Sequence, residues 1–312
     1  MVCFSLLFLF LGGKMSKIKV PFPYMGSKGR FYKEIKEVFI ENKRENFIDL
    51  FAGAMEVPVN LKVEFSDLNV EANVKDCKIE ALIKHKDVFK LYERALTYVC
   101  GQIDFKSSRS LYDTNRAKFD EINIKFKSIF QNVCPCCGKK IDNNVENKEF
   151  SEDEKEILKA LMGFGGKGES LSNTFYSIAK AEKFKGYIDG IKKLKVHFKE
   201  FDETWEYKDS FIFLDPPYIQ KTKLDKEQNF VGYGYAGDGG KEWGLKDDDR
   251  LIKFIENNLN KNNVFLIFGS AENNPKKLIE KNFKNAEFSE KIYKFQTFGK
   301  VTDRLEWFCL IK

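Results

Sequence analysis

The chain has 312 residues, 43% of them hydrophobic and 32% charged, which is typical of a folded globular protein and excludes a disordered or collagen-like chain. Its net charge of +6 favours a polyanionic partner only mildly. Two histidines are too few to favour a histidine-based metal centre or catalytic triad. Seven cysteines, an odd number at low density, indicate a reducing compartment, so we expect a cytoplasmic protein.

The first residues differ from the rest of the chain. Residues 2–11 form an apolar run, which is about half as long as a membrane-spanning helix. The run lacks the basic start and the small-residue cleavage site of a secretory signal, and a second methionine follows at position 15. We interpret residues 1–14 as a spurious or disordered extension and expect no membrane partner. The alternatives are a membrane-associating tail or an added strand.

The spacing of apolar residues predicts the first elements of the chain. Apolar residues recur at helical intervals over residues 30–43, which predicts an amphipathic helix. The apolar run at 47–51 predicts a buried strand that ends in a glycine turn. Residues 63–67 predict the next strand, with Asp67 at its end, and residues 70–84 return to helical spacing.

The pattern changes beyond residue 84. Up to about residue 186 the chain is charged and helical in character, without strand alternation. Buried strands return later, at residues 210–214, 264–268 and 305–311. A Gly- and Tyr-rich loop is predicted at 220–243, and a helix is predicted from the acidic run at 247–249.

Strands that alternate with helices predict an α/β fold whose parallel sheet is covered on both faces. Residues 77–186 interrupt this alternation. We therefore predict that residues 77–186 form a domain inserted between the two parts of the sheet domain, residues 15–76 and 187–312.

The most specific motif follows the strand predicted at residues 210–214. It reads Asp215-Pro216-Pro217-Tyr218, and two prolines cannot continue a strand, so the chain turns out of the sheet at its carboxyl end. Ligand sites of open α/β sheets lie at that edge. A carboxylate, a proline carbonyl and an aromatic ring suit a planar amine, because the oxygens accept its hydrogens and the ring stacks on its face. The alternative is a structural turn capped by the aspartate.

A few further residues have roles that follow from their chemistry. Asp67, at the end of the second predicted strand, would accept hydrogen bonds from ribose hydroxyls or would be a solvated acid. Lys28 and Tyr24 lie in a glycine-containing loop, where they would hold a carboxylate and an adenine or sulfonium, or would be exposed loop residues. Gly53 lets its backbone approach a ligand because it has no Cβ. Asp49 precedes this turn and would orient it.

The motif Asp215-Pro216-Pro217-Tyr218 after a strand resembles the catalytic motif of adenine-N6 DNA methyltransferases, and the motif order resembles the Dam-type family of these enzymes. The other segments that carry the resemblance are residues 21–28, 48–53, 65–69, 201–202 and 303–308. The resemblance covers most of the chain from Met15 and is weak between about 84 and 195. It implies a Rossmann-like S-adenosylmethionine-dependent methyltransferase fold, with residues 77–186 as an inserted, mainly helical target-recognition domain.

The resemblance also implies an activity and the residues that carry it. The enzyme would transfer a methyl group from S-adenosylmethionine to the N6 amine of an adenine flipped out of duplex DNA. The catalytic residues would be Asp215, Pro216, Pro217 and Tyr218. The cofactor-binding residues would be Tyr24, Lys28, Asp49, Phe51, Gly53, Asp67, Asp202 and Asp215. We expect a monomer that acts on double-stranded DNA, with a cognate restriction endonuclease as a possible partner.

One departure from the family pattern leaves alternatives open. The family turn usually reads Phe-x-Gly-x-Gly, whereas Met55 stands at the second glycine. Its side chain would crowd the methionine part of the cofactor, or the turn would open. A catalytically impaired nucleic-acid-binding protein is therefore one alternative function. The other is the same fold acting on RNA or a protein amide, because the four-residue motif suits several planar amines.

A cysteine pair suggests half of a zinc site. Cys134 and Cys137 have the two-residue spacing of such a site, but no second pair provides the remaining ligands. We interpret the segment as a turn with thiols that bind no metal. The alternative is a zinc site in which Cys136, Cys100, Cys77 or His85 would supply the remaining ligands.

Residues 90–140 are rich in Lys and Arg with interleaved aromatic residues. This pattern is typical of a surface that contacts phosphates, and it is equally typical of a solvated helix face.

Overall fold

The computed structural model describes residues 17–21, 27–131, 134–139, 149–163, 168–217, 243–270, 275–297 and 300–312. In chain order, its elements are a 3-10 turn (Lys28–Phe31), α1 (Tyr32–Glu41), β1 (Asn46–Asp49), α2 (Glu56–Glu64), β2 (Asn69–Asn73), α3 (Cys77–Lys84), α4 (Val88–Cys100), α5 (Ser108–Thr114), α6 (Arg116–Phe130), α7 (Glu152–Met162), α8 (Ile178–Ile191), β3 (Lys195–His197), β4 (Ser210–Leu214), α9 (Leu245–Leu259), β5 (Val264–Ser270), α10 (Pro275–Asn282), β6 (Glu287–Thr297) and β7 (Lys300–Ile311).

The strands form one seven-stranded sheet in the order β3-β2-β1-β4-β5-β7-β6. Strands β1 to β5 run parallel, whereas β7 pairs antiparallel with both β5 and β6. The predicted α/β fold is confirmed, and the sheet is mixed because of the closing pair. The chain builds outward from β1 through β2 to β3 and then returns to place β4 on the other side of β1, so the strand order reverses between the neighbours β1 and β4. A crevice opens at the carboxyl ends of the strands at such a point.

Helices cover both faces of the sheet, as predicted. Successive residues of a strand point to opposite faces, so Phe47 and Phe211 lie in one core while Ile48 and Ile212 lie in another. The first core is closed by α1 and α2, and the second by α9 and α10. The carboxyl ends of β1 and β4 are thus held between two packed layers.

The strand predicted at residues 63–67 is wrong. Helix α2 extends to Glu64, and β2 begins only at Asn69. Within α2, Val59 packs into the core of the following helices, whereas Val57 and Leu61 pack against the sheet. The alternating Val63 and Phe65 lie at the end of α2 and at its C-cap, where Phe65 packs against the same core as Leu61. Two apolar residues in so short a segment imitate the period of a strand.

Helices α3 to α8 occupy the region predicted to be mainly helical. They share one core, which also includes Met55 of the turn before α2 and Ala72 of β2. Helix α8 runs across the predicted boundary at residue 186, and the Tyr187 hydroxyl donates to the Ala54 carbonyl at 2.7 Å. The limits of an inserted domain therefore stay a prediction. No helix in the described part of the chain is long and apolar enough to cross a membrane.

Candidate active site

Two aspartates lie side by side at the carboxyl edge of the sheet. Asp49 is the last residue of β1, and Asp215 follows directly after β4. The two strands are neighbours in parallel register, with Asp49 opposite Phe213. The topology therefore brings together two acids that are far apart in the sequence.

Lys28 joins this pair from the opening turn. Its ammonium contacts Asp215 Oδ2 at 2.7 Å, and the two side chains are only 4% and 14% exposed. A buried ammonium is costly unless it is paired and hydrogen-bonded. The sequence resemblance placed both residues in one site, and the structure brings them into contact.

Asp49 is 2% exposed, and its Oδ1 accepts the N–H of Phe51 at 3.2 Å. Burial raises the pKa of Asp49 well above its usual value, and the neighbouring Asp215 raises it further. The Phe51 N–H and Lys28 act in the opposite direction. Two carboxyl groups thus lie near one ammonium, and the surroundings are suited to a cationic ligand.

The first residue of α2 holds the turn that carries Lys28. Ser27 Oγ donates to Glu56 Oε2 at 2.5 Å, and Lys17 pairs with Glu56 Oε1 at 3.1 Å. Gly29 lies so close that a Cβ at this position would be 2.0 Å from the Glu56 carboxyl carbon. Position 29 therefore has room for glycine alone while Glu56 keeps its two partners.

The turn between β1 and α2 has two residues with positive φ. Gly53 has φ 47° and Met55 has φ 55°, a conformation that favours glycine. The turn is closed, since the Met55 N–H donates to the Ala52 carbonyl at 2.6 Å. The Met55 side chain is fully buried in the core shared with α3 to α8. Met55 thus adopts the left-handed backbone conformation expected of the glycine that usually stands there, and its side chain packs in the apolar core.

Three aromatic rings pack together at the same edge. The ring centroid of Phe51 lies 5.2 Å from those of both Phe201 and Trp243. Sequence reasoning included Phe51 and the segment 201–202 but missed Trp243. The Trp243 indole N–H donates to Asp248 Oδ1 at 2.8 Å, and Asp248 is only 1% exposed. A tryptophan next to the acidic start of α9 was the available signal.

The two remaining acids predicted to bind the cofactor, Asp202 and Asp67, lie at opposite ends of their strands. Asp202 follows β3 at the carboxyl edge, where its Oδ1 accepts from the Thr204 N–H and hydroxyl at 2.9 and 2.7 Å. These bonds lower the pKa of Asp202. Asp67 is exposed and precedes β2, so it lies at the amino end of the strand and its predicted place at the strand end is wrong. The acid that follows the carboxyl end of β2 is Asp76.

The structure describes only two of the residues that follow Asp215 in the predicted catalytic motif. Pro216 is buried and Pro217 is exposed, directly after the carboxyl end of β4. Tyr218 and Tyr24 lie outside the described residues, as does the predicted loop from residue 220 to 242.

The cysteines of residues 134–137 form a cluster in the loop after α6. The sulfurs of Cys134, Cys136 and Cys137 lie within 4.8 Å of one another. Cys100 is outside this group, His85 instead faces Glu154 at 3.6 Å, and the Cys77 side chain lies outside the described residues.

The basic side chains of residues 90–140 are largely paired with acids. The pairs, all with N–O separations of 2.6 to 3.6 Å, are Arg94–Glu154, Arg109–Asp113, Arg116–Asp120, Lys118–Asp104 and Lys125–Glu121. Three of these pairs are four residues apart along one helix. This arrangement favours the interpretation as a solvated helix face, although such exposed pairs are weak and can exchange for phosphates.

Comparison with known proteins identifies the family. The D12 class N6 adenine-specific DNA methyltransferase family matches residues 24–301, most of the chain. The "Modification methylase StsI" of Streptococcus sanguinis is 23% identical over 250 residues, which cover 77% of this chain and 33% of that protein. The matched part thus spans about a third of that relative. Because the family match covers most of the chain, the chain belongs to the D12 class N6 adenine-specific DNA methyltransferase family.

Proposed function

We propose that the protein transfers a methyl group from S-adenosylmethionine to the N6 amine of adenine in duplex DNA. The observation that carries this proposal is the contact of Asp215 with the buried Lys28 at the carboxyl end of β4. Two prolines follow Asp215 and direct the chain out of the sheet. A carboxylate and the Pro216 carbonyl are thereby available at the edge where ligands of such sheets bind.

The residues at this edge fit S-adenosylmethionine. Asp49 and Asp215 complement its cationic groups, and Lys28 complements its carboxylate. Phe51, Phe201 and Trp243 provide apolar ring surface for the adenine. The Gly53 backbone has no Cβ that would keep it away from the cofactor.

The chemistry follows from how the amine is held. When bound, the cofactor supplies an electrophilic methyl group on sulfur. Asp215 and the Pro216 carbonyl accept the two amine hydrogens, which localises the nitrogen lone pair that the ring otherwise delocalises. The amine held in this way would take the methyl group, the cofactor would leave as a neutral thioether, and the surplus proton on nitrogen would pass to Asp215 or to solvent. The base has to leave the duplex to reach this edge, so we propose base flipping with Tyr218 stacked on the adenine.

The finer details of the fold are part of the same proposal. The parallel strands follow the order β3-β2-β1-β4-β5, which is the order of a Rossmann-like sheet. We assign ribose binding to Asp76, because it follows the carboxyl end of β2, in place of Asp67.

Residues 77–186 would recognise the DNA target. By analogy with the modification methylase StsI, we propose that a cognate restriction endonuclease accompanies this enzyme, which would act as a monomer.

Transfer of labelled methyl groups to duplex DNA tests the proposal. Asp215→Ala and the more conservative Asp215→Asn should lower the rate by at least about a hundredfold, while calorimetry still detects cofactor binding. Asp249→Asn, a change of an exposed acid in α9, is the matched control and should keep the wild-type rate.

Two results would contradict the proposal. Full transfer by both Asp215 variants would exclude the assigned role of this carboxylate. Labelling of RNA alone by the wild-type protein would replace DNA with RNA as the substrate, which the motif also allows because cytosine and adenine of both polymers carry planar amines.

A further inference from the structure

The loop after α6 has the backbone of a metal-binding knuckle. The Cys134 N–H donates to the Lys139 carbonyl at 2.8 Å, and the Gly138 N–H donates to the Cys134 carbonyl at 2.8 Å. Gly138 has φ 74°, the left-handed conformation that a tight reversal requires. The two hydrogen bonds close the loop around Cys134 and hold the three cysteines within one short turn.

The loop also gathers donors around one sulfur. The Cys134 and Cys136 sulfurs lie 2.7 Å apart, and the N–H groups of Cys136 and Cys137 are directed at Cys134 Sγ. Backbone N–H groups directed at a sulfur stabilise the thiolate, which is the form that binds metals.

The loop is anchored, and its sulfurs are accessible. Gly138 lies against α6, where a Cβ would be 3.5 Å from Ile124 Cγ1. Cys134 is half-buried, while Cys136 and Cys137 are exposed. An ion can therefore reach the three sulfurs without any rearrangement of the helical core.

The distances suit a tetrahedral ion after a small opening of the cluster. Zinc–sulfur bonds of about 2.3 Å place two sulfurs of a tetrahedral site about 3.8 Å apart. The three sulfurs lie within 4.8 Å of one another, and the short Cys134–Cys136 separation would widen by about 1 Å. Exposed thiol side chains allow this change by rotation.

We propose that Cys134, Cys136 and Cys137 bind one zinc ion as three thiolates, with a water molecule in the fourth position. This conclusion differs from the interpretation that the spacing alone favours, because the structure adds a third sulfur and a preformed loop. The inference is independent of methyl transfer, since the cluster lies outside the carboxyl-edge site.

Metal content and cobalt spectroscopy test the site on the full chain. Purified protein incubated with Zn²⁺ and passed through gel filtration should retain about one zinc per chain. Replacement by Co²⁺ should give sulfur-to-cobalt charge-transfer bands whose intensity corresponds to three thiolates. Cys134→Ser, Cys136→Ser and Cys137→Ser should each lower zinc affinity by more than about a hundredfold.

Cys100→Ser is the matched control, because this cysteine ends α4 and lies outside the cluster. It should keep full zinc affinity, and circular dichroism should show that every variant retains its helices. Absence of retained zinc in the wild-type protein would overturn the proposal. Unchanged affinity in Cys136→Ser would overturn the three-thiolate site.

Discussion

At the residue scale, burial sets the protonation of Asp248, the carboxyl group that accepts from Trp243. Burial raises its pKa to about 7, the Trp243 indole acts against this shift, and Asp247 and Asp249 add to it. Its Oδ2 is buried and has no hydrogen-bond partner in the described part of the chain. The charged form of Asp248 is therefore a cost to the folded state.

Asp248→Asn should remove the destabilisation that the wild-type protein suffers when the buried Asp248 carboxyl group ionises. The unfolded chain loses the proton near pH 3.8, whereas the folded protein keeps it up to about pH 7. Between these values the folded state binds more protons, so its stability falls as pH rises, by up to about 1.4 kcal/mol per pH unit. Urea denaturation should show the variant gaining stability relative to wild type from about pH 4 to pH 7, with no further change above.

Glu256→Gln, also in α9, is the control for this experiment, since its side chain is exposed and is not among the charges that shift the pKa of Asp248. Its stability difference from wild type should be the same at all pH values in that range. A flat difference for Asp248→Asn as well would show that Asp248 is ionised in the folded protein throughout.

At the scale of elements, the opening turn depends on close packing against α2. Gly29 faces the Glu56 carboxylate, which is held by Ser27 and Lys17. A methyl group at position 29 would displace this carboxylate and release the turn that carries Lys28. The position of Lys28, to which we assign cofactor binding, thus depends on the absence of a side chain at position 29.

Gly29→Ala should weaken binding of S-adenosylmethionine by about tenfold, because the two bonds of Glu56 contribute about 1.4 kcal/mol to holding Lys28. Calorimetry measures this change. Gly186→Ala in α8 is the matched control, since nothing lies within 4 Å of a Cβ there, and it should leave affinity unchanged. Equal affinity in Gly29→Ala would mean that the turn is not held by Glu56.

At the scale of the whole molecule, α8 links the helical region to the turn of the active site. The Tyr187 hydroxyl donates to the carbonyl of Ala54, which immediately precedes Met55. Tyr187 is fully buried, so this bond has no competition from water. The cofactor turn is therefore supported from the helical region as well as from the sheet.

Tyr187→Phe should destabilise the protein by about 1–2 kcal/mol, because it leaves a buried carbonyl without this donor. Hydrogen exchange should speed up at the amides of residues 53–55. Tyr98→Phe is the comparison, since the Tyr98 hydroxyl contacts Ser128 within the helical region. That variant should leave exchange in the turn unchanged, and the same acceleration in both variants would exclude a specific link through Tyr187.

Much of the fold and the site could be predicted from local patterns. The buried strand before Asp215 and the strand before the glycine turn were found because central strands are continuous apolar runs. The family motifs are short and contiguous, so they place Lys28, Asp49 and Asp215 in one site. The strand at 63–67 was predicted wrongly because Val63 and Phe65 span the end of α2, where two alternating apolar residues are too few to reveal the helical period.

The sequence by itself determined the buried strands β1, β4 and β5, the motif proposed to be catalytic and the family resemblance, since each depends on neighbouring residues. Only the tertiary structure decided that Asp67 lies at the wrong end of β2, that Met55 packs inward, and that Trp243 joins Phe51. It also brought three sulfurs together in one loop. The physical reason is that distances between residues remote in the sequence are set by packing and strand order.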